Sequence, residues 1–305
     1  MKDIRYIHHH EIDFAKWDSC VDRSTNGLVY AYSWFLNEMS PGWDALVWKD
    51  YEAVMPLTKR KKWGISYLYQ PAFCAELGIF SESDLNKGLV VSFLQQIPKQ
   101  FRYIDICLNR RNSFQISDFP FIYRRNFVLP LRHSYEEIEK KYITNHRRNI
   151  KKADGAGLQL TSDVAIEEAV LMSRRVMKEV AEVPENDWQS FIRLFNKAQS
   201  MQAAVCVGVQ DRNGVLLNTA VFFKSHKFWY YLLAGSTEEG KTAGAAHFLI
   251  DRFIAQYASS DLFLDFEGSD IESLAFFYRG FGAVEEPYPQ LKLNKLPALI
   301  KWIKR

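Results

Sequence analysis

The spacing of apolar residues predicts a series of helices and strands in the C-terminal half. The segment SYEEIEKKYITNHRRNIKKA has apolar residues at helical spacing, begins with the capping box Ser134-x-x-Glu137, and is ended by Gly155 and Gly157. We therefore expect one helix there. The segments after it predict, in order, strand LQLTS, helices AIEEAVLMSRRVMKEVA and NDWQSFIRLFNKAQS, strands AAVCVGVQ, VLLNTAVFFKS and KFWYYLLAG, helix AAHFLIDRFIAQYA, strand DLFLDFEG and helix IESLAFFYRGFG.

The N-terminal half repeats this order of elements. Its segments predict helices IDFAKWDSCV and AYSWFLNEM, strands WDALVW, EAVMPLTK and ISYLYQP, helix DLNKGLVVSFLQQIP and strand RYIDICLN. Helices, three strands, a helix and a strand in each half indicate a duplication of fold. We therefore expect an α/β (α+β) chain with two tandem domains, 1–130 and 131–305. Each is a mixed, mostly antiparallel sheet flanked by helices, and we expect the second domain to carry the chemistry.

Composition agrees with two packed domains. The chain has 305 residues, 48% hydrophobic and 25% charged, which is enough apolar surface for two cores with an ordinary charged exterior. No apolar run reaches the roughly 18 residues of a transmembrane segment, and the first residues, MKDIRYIHHHEID, are charged where a signal peptide would be apolar. We expect a cytoplasmic protein without a transmembrane segment.

The cysteine pattern predicts neither disulfides nor a zinc site. Four cysteines lie far apart, three of them in strand-like apolar runs, and no CxxC or HExxH spacing occurs. We expect buried free thiols and no metal. The thiols are Cys20, Cys74, Cys107 and Cys206.

Positive charge is concentrated in two places. From Leu131 to Lys152 there are seven basic and three acidic residues, a net +4, within a chain whose total is only +3. Arg147, Arg148, Lys151 and Lys152 occupy adjacent helical positions, which suits a diphosphate or a tRNA acceptor end; a solvated helix face is the alternative.

A second basic run, Lys59-Arg60-Lys61-Lys62, lies between two predicted strands of the N-terminal half. Four like charges in a bare hairpin repel each other unless an anion is near. The run therefore predicts a second phosphate contact.

Small residues separate strand KFWYYLLAG from the helix that follows it. A helix that begins in such a turn presents unpaired backbone N–H groups and a positive dipole end, which together fit a pyrophosphate. The turn resembles the acetyl-CoA loop of the GCN5-related N-acetyltransferases, Arg/Gln-x-x-Gly-x-Gly/Ala. The resemblance implies acetyl-CoA or another acyl-CoA as donor, although lysine in first place lacks the arginine fork. Close helix packing is the alternative. The residues are Lys241, Thr242, Ala243, Gly244, Ala245 and Ala246.

A second acetyltransferase-like segment, SLAFFYRGFGA, follows the donor turn. It is similar to the helix that carries a tyrosine and ends in Gly-Phe in that family. The resemblance implies that Tyr278 protonates the departing thiolate, for which a phenol of pKa about 10 is suited. Packing of an aromatic helix face, together with Phe276 and Phe277, is the alternative.

The C-terminal half as a whole resembles the FemAB family of tandem acetyltransferase-like aminoacyltransferases, through NHRRNIKKA, LDFEGSD, FYRGFGA and YPQLK. The resemblance implies transfer of an amino acid from aminoacyl-tRNA, or of an acyl group from CoA, to an amine. It also implies a small-molecule or peptidoglycan-precursor acceptor, and tRNA as a possible partner. Lys292, in the match to the terminal strand, is then a candidate for stabilising the oxyanion.

Two carboxylates lie at the end of the predicted strand DLFLDFEG. Strand alternation predicts Asp265 and Glu267 on one face, at the end of the sheet where ligands bind. Either carboxylate can take a proton from an attacking ammonium, and Glu267, beside Gly268, is the preferred base. Capping of the next helix is the alternative.

These residues predict an N-acyltransferase in which a primary amine attacks the donor directly. No GxSxG motif occurs and no cysteine lies near a histidine in sequence, so no covalent intermediate is expected. The donor turn favours acyl-CoA, whereas the basic helix favours aminoacyl-tRNA. The alternative function is a non-catalytic acetyltransferase-like protein that binds a nucleotide-sugar or nucleic acid.

Overall fold

A computed structural model describes residues 3–114, 116, 119–178, 182–268 and 270–296. The strands are β1 Ile4–Ile7, β2 Asp44–Trp48, β3 Ala53–Leu57, β4 Lys59–Lys62, β5 Ile65–Tyr69, β6 Phe80–Ser81, β7 Tyr103–Cys107, β8 Phe121–Arg124, β9 Phe127–Pro130, β10 Gln159–Thr161, β11 Ala204–Gln210, β12 Leu216–Ser225, β13 Phe228–Ser236, β14 Phe263–Asp265, β15 Val284–Glu285 and β16 Tyr288–Asn294. The α-helices are α1 Phe14–Arg23, α2 Ser33–Met39, α3 Lys87–Gln96, α4 Tyr135–Glu139, α5 Thr144–Ala156, α6 Ile166–Met177, α7 Glu185–Ser200, α8 Glu238–Ala243, α9 Ala245–Tyr257 and α10 Glu272–Arg279. Short 3-10 helices span His9–Glu11, Val29–Ala31 and Arg110–Asn112.

The chain forms two compact units. Unit 1 contains the described residues up to Arg124 together with those from Pro287 onward, and unit 2 spans Arg125–Glu286. The contacts therefore divide the chain at 124/125 and 286/287, whereas the sequence analysis expected a single boundary at 130/131. The six residues from 125 to 130 contribute β9 to the sheet of unit 2, and β16 pairs with strands of unit 1.

Unit 1 contains two sheets. One is antiparallel with the order β1-β2-β3-β6, and the other has the order β4-β5-β7-β16-β8. In the second sheet β5 and β7 run parallel, and α3 lies between them in the sequence. Leu68, Ile104 and Leu291 from neighbouring strands of this sheet lie in the buried core. Successive residues of a strand point to opposite faces of the sheet, so Lys292, which follows Leu291 and pairs with Asp105, lies on the face away from this core.

Unit 2 is built on one seven-stranded sheet of order β10-β11-β12-β13-β14-β9-β15. Its pairs are antiparallel except β13 and β14, which α8 and α9 connect. Helices α6 and α7 pack on one face, where the backbone of α6 approaches Gly235 and rings of α7 contact Phe223. Helices α5, α9 and α10 contribute to the core on the other face. The expected fold class, mixed and mostly antiparallel sheets with flanking helices, is confirmed.

Three predicted elements differ in the structure. The single helix expected from Ser134 onward is two helices, α4 and α5, although the capping box is as predicted. Of the two glycines expected to end the helix, Gly157 does so in a left-handed conformation, whereas Gly155 lies within α5. Strand DLFLDFEG is only three residues long. The run Lys59–Lys62 is itself strand β4 rather than a connection, because its residues pair with β5.

The prediction of buried free thiols is confirmed for all four cysteines. Among the residues that the structure describes, no helix combines the length and the apolar character needed to cross a bilayer.

Candidate active site at a strand fork

The parallel strands β13 and β14 separate after three residue pairs. Phe228, Trp229 and Tyr230 pair with Phe263, Leu264 and Asp265. Strand β13 then continues to Ser236, whereas the chain after Asp265 turns away through two residues with positive φ. We call this opening, between 231–236 of β13 and 266–268, the strand fork. Open ends of parallel strands are where α/β sheets bind ligands.

Glu267 lies at the fork in a left-handed backbone conformation, with φ 67°. That conformation costs a residue with a side chain about 1–2 kcal/mol. The next residue, Gly268, has φ 70°, and a Cβ there would lie 2.2 Å from the carbonyl oxygen of Arg125. Only glycine fits this position. A strained non-glycine residue held in place by its surroundings is typical of functional sites.

The expectation that Asp265 and Glu267 share a face by strand alternation is wrong. Asp265 is the last residue of β14 and only 1% exposed, whereas Glu267 lies beyond the strand and is partly exposed. The two are connected differently, because the backbone N–H of Glu267 donates a hydrogen bond of 3.0 Å to Oδ1 of Asp265. Asp265 therefore positions Glu267.

Three titratable groups influence each other at the fork. Burial raises the pKa of Glu267 well above its usual range. Burial also raises the pKa of Tyr278, and the Glu267 carboxylate raises it further. The pKa of Tyr231, on β13, is raised by burial first and by Tyr278 second. Perturbed pKa values caused by burial and specific neighbours are typical of catalytic groups.

Tyr278 is both a packing residue and a member of this group. It lies on α10, as predicted, and is 7% exposed. Its ring stacks on Phe266, with centroids 4.8 Å apart, and lies 6.0 Å from Phe127 and 6.5 Å from Tyr231. The surrounding rings fix its orientation, so the two interpretations of this aromatic helix are compatible.

The predicted donor turn is shorter than expected. Lys241, Thr242 and Ala243 belong to α8, which begins after its N-cap residue Thr237. The ammonium group of Lys241 forms an ion pair with the carboxylate of Glu238 in the same helix. The turn itself is one residue, Gly244, which ends α8 and begins α9 with φ 80°.

The first turn of α9 begins with Ala245 and Ala246 and supplies the backbone N–H groups and positive dipole end that suit a phosphate. A Cβ on Gly244 would lie 2.7 Å from the backbone oxygen of Asn149 on α5, so the glycine is needed for helix packing as well. A larger residue at Gly244 is therefore expected to push α5 away from the turn.

The basic helix lies against this turn. All four of its predicted cations are exposed on α5. Lys152 donates a hydrogen bond of 2.7 Å from Nζ to the carbonyl oxygen of Thr242, at the end of α8. Arg147 donates to the Lys140 carbonyl and Arg148 to the Asn145 side chain, so both remain at the surface. The fold thus brings the predicted donor residues and the predicted anion-binding helix together.

Two histidines that the sequence analysis missed join α5, α9 and α10. His146 is 1% exposed, and its Nε2 lies 2.8 Å from the Phe277 carbonyl oxygen, which it contacts as a donor. The ring of His247, in the first turn of α9, lies 4.6 Å from that of His146. Burial lowers the pKa of His146. The pKa of His247 is lowered to about 4, mainly by burial and to a smaller extent by the neighbouring His146. Both rings are therefore neutral at neutral pH.

Lys292 is not in the same unit as these groups. It lies on β16 of unit 1 with its side chain exposed.

Within the described part of the chain no group of three or more His, Cys, Asp or Glu side chains could hold a metal ion.

Comparisons with known proteins identify the fold. No protein-family profile and no curated protein sequence matches the chain. It is similar in structure to FemX, with a TM-score of 0.68 at 12% identity over 99% of this chain and 100% of that one. It is also similar to the C-terminal domain of a putative lysylphosphatidylglycerol synthetase from Agrobacterium fabrum (TM-score 0.55, 11% identity, 95% and 94% coverage). A third similar structure is N-myristoyltransferase from Saccharomyces cerevisiae with bound myristoyl-CoA, with a TM-score of 0.51 at 12% identity over 96% of this chain and 83% of that one. The fold implied by the sequence resemblance to FemAB-like and GCN5-related transferases is thus the fold of this chain.

Proposed function

We propose that this protein is an N-acyltransferase that moves an acyl or aminoacyl group from an activated donor to a primary amine. One observation carries the proposal: the Tyr278 ring stacks on Phe266, the residue before Glu267, at the fork of the only parallel strand pair described in unit 2, and both Glu267 and Tyr278 have raised pKa values. Direct acyl transfer needs one group that accepts a proton and one that donates a proton.

Glu267 is the proposed general base. Its raised pKa makes the carboxylate a stronger base than an exposed glutamate, and Asp265 holds its backbone in place. The amine nitrogen attacks the donor carbonyl carbon while its proton moves to Glu267. The bond from that carbon to sulfur, or to oxygen in a tRNA ester, then breaks.

Tyr278 is the proposed general acid. The phenol is protonated at neutral pH, so its proton is available to the departing thiolate or alkoxide, and its raised pKa makes it a weaker acid than an exposed tyrosine. Lys292 stays a candidate for stabilising the oxyanion.

Acyl-CoA is the first choice of donor. The first turn of α9 offers backbone N–H groups beside small residues, and exposed cations of α5 lie next to it. The similar N-myristoyltransferase structure contains myristoyl-CoA. Aminoacyl-tRNA is the second choice, favoured by the same cations. For the acceptor we propose a small-molecule or peptidoglycan-precursor amine, and we place the protein in the cytoplasm, where both kinds of donor occur.

Calorimetry with acetyl-CoA tests the donor. Ala246 is the second residue of α9, where an acidic side chain favours the helix but repels a phosphate. We expect Ala246→Asp to keep its melting temperature and to lose acetyl-CoA binding at least tenfold, while the control Ala246→Ser binds as the wild type does. Equal affinity of all three proteins would refute this donor site. Stabilisation by nucleotide-sugars, with no response to acetyl-CoA or an aminoacyl-tRNA analogue, would instead support the non-catalytic alternative.

A further inference from the structure

The hairpin β4–β5 of unit 1 ends in a two-residue turn that carries a tryptophan. Lys62 pairs with Ile65, so Trp63 and Gly64 form the turn, with φ 51° and 79°. Two positive φ values define the type I′ turn, which favours Asn-Gly or Asp-Gly. Glycine fits the second position, whereas a bulky residue at the first is strained.

The side chain of Trp63 is not stabilised by burial either. It is 70% exposed, more than any other large apolar side chain in the described residues. The ammonium group of Lys62 lies 4.8 Å from the centroid of the Trp63 ring. The backbone conformation of Trp63 opposes folding and its exposed side chain does not offset that cost, so its presence requires another explanation.

The same hairpin is strongly basic. Residues 58–69 include four cations and no acidic residue. Lys59 forms an ion pair with Asp44, and the Arg60 guanidinium lies 4.2 Å from the Tyr69 ring centroid. Lys61 and Lys62 are exposed beside the turn. Lysines on an edge strand also prevent unwanted strand pairing, but that role does not account for an exposed tryptophan.

We propose that this turn docks the protein on an anionic lipid bilayer. Tryptophan prefers the headgroup region, where its ring is buried and its N–H stays solvated, and nearby lysines are attracted to anionic phosphates. A surface that binds single-stranded nucleic acid would instead offer several open rings. Here the rings on the strands are engaged: Arg60 covers Tyr69, and Tyr67 packs edge-on against Tyr69 and Tyr103. One open ring at a tip with cations behind it favours the bilayer.

Docking does not depend on the proposed acyl transfer, and vesicle co-sedimentation of the full chain tests it. The probes are vesicles of phosphatidylglycerol with phosphatidylcholine, and vesicles of phosphatidylcholine alone. We expect binding to the anionic vesicles that falls with salt. Trp63→Asn should reduce partitioning about tenfold through the lost ring. Because asparagine suits this turn, its melting temperature should equal or exceed that of the wild type.

Two further variants complete the test. Neutralising Lys61 and Lys62 to glutamine should reduce partitioning about 30-fold, or about fivefold per cation. The control Leu171→Gln, which removes an exposed apolar side chain on α6, should bind vesicles as the wild type does. Equal partitioning of wild type and Trp63→Asn would overturn the proposal. The proposal would also be overturned if the wild type did not bind anionic vesicles but bound single-stranded RNA, and if Trp63→Asn abolished that RNA binding.

Discussion

Replacing Glu267 by glutamine is expected to make the protein more stable and less active. The substitution keeps the size of the side chain and removes its ionisable carboxyl group. Burial raises the pKa of that carboxyl in the folded state, so ionisation at neutral pH opposes folding. Glutamine does not ionise and avoids this cost.

The pH dependence of the effect has a definite sign. Below the ordinary glutamate pKa the carboxyl is protonated in both states, so the wild type has no penalty. As the pH rises toward the raised folded pKa, the unfolded chain ionises freely while the folded protein does not, and the wild type loses stability. Above the folded pKa the loss is constant, at about 1.36 kcal/mol for each unit by which the pKa is raised.

Urea unfolding at pH 4, 6 and 8 measures this difference. We expect the free energies of unfolding of Glu267→Gln and wild type to differ least at pH 4, and the variant to have the larger value at pH 8. Thermal unfolding at pH 8 should show a melting temperature that is higher for the variant by about 2–4 °C for each kcal/mol of that difference. Glu182→Gln, which removes an exposed carboxylate, is the control and should follow the wild type at every pH. With a donor and amine in hand, kcat of Glu267→Gln should fall by about 10²–10⁴ at neutral pH and recover partly at high pH, where the amine deprotonates unaided.

Two results would refute the reasoning in different ways. A variant no more stable than wild type at pH 8 would mean that the carboxyl is not desolvated, which removes the basis for its role. A variant that is more stable and keeps wild-type kcat would mean that the Glu267 carboxyl group is desolvated but not catalytic.

Three further predictions concern the fork and the helices beside it. Tyr278→Phe should lower kcat by about 10²–10⁴ at all pH values below the phenol pKa without changing donor affinity, as turnover and calorimetry together would show; unchanged kcat excludes it as the acid. Gly244→Ala should lower the melting temperature more than the control Gly214→Ala. Both residues have φ 80°, but only the Gly244 Cβ meets a neighbouring backbone, at 2.7 Å, so equal losses would contradict the close approach of the helices. Changing Arg148 and Lys151 to glutamine should weaken an anionic donor and, for tRNA, reduce the logarithmic salt slope by about two; an unchanged slope indicates a solvated face.

Local signals gave the sequence analysis its correct elements. The capping box at Ser134, the left-handed Gly157 and the helix that carries Tyr278 are each set by residues a few positions apart. The pairing of β16 is different in kind. Leu291 alternates with polar neighbours in the same way whichever sheet it joins, and its partner Ile106 is distant in sequence.

The site residues that were missed or misplaced depend on contacts between distant segments. The turn at Glu267 and Gly268 exists because the backbone at Arg125 approaches it, which strand alternation cannot reveal. His146 had a detectable signal, since it lies one helical turn before the buried Ile150 on α5. Its partner His247 is about a hundred residues away, and no local pattern joins the two.

The position of β16 sets a delay in the synthesis of the protein. It lies between β7 and β8, and among the described strands β8 has no other neighbour in its sheet. Gln290 pairs with Cys107, 183 positions earlier, so at about 5–20 residues per second the ribosome needs roughly 10–40 s to supply the missing strand. Unit 2 is synthesised entirely within that interval. Until it ends, the nascent chain carries unpaired edges at β7 and β8, where newly made chains are most exposed to aggregation and most dependent on chaperones.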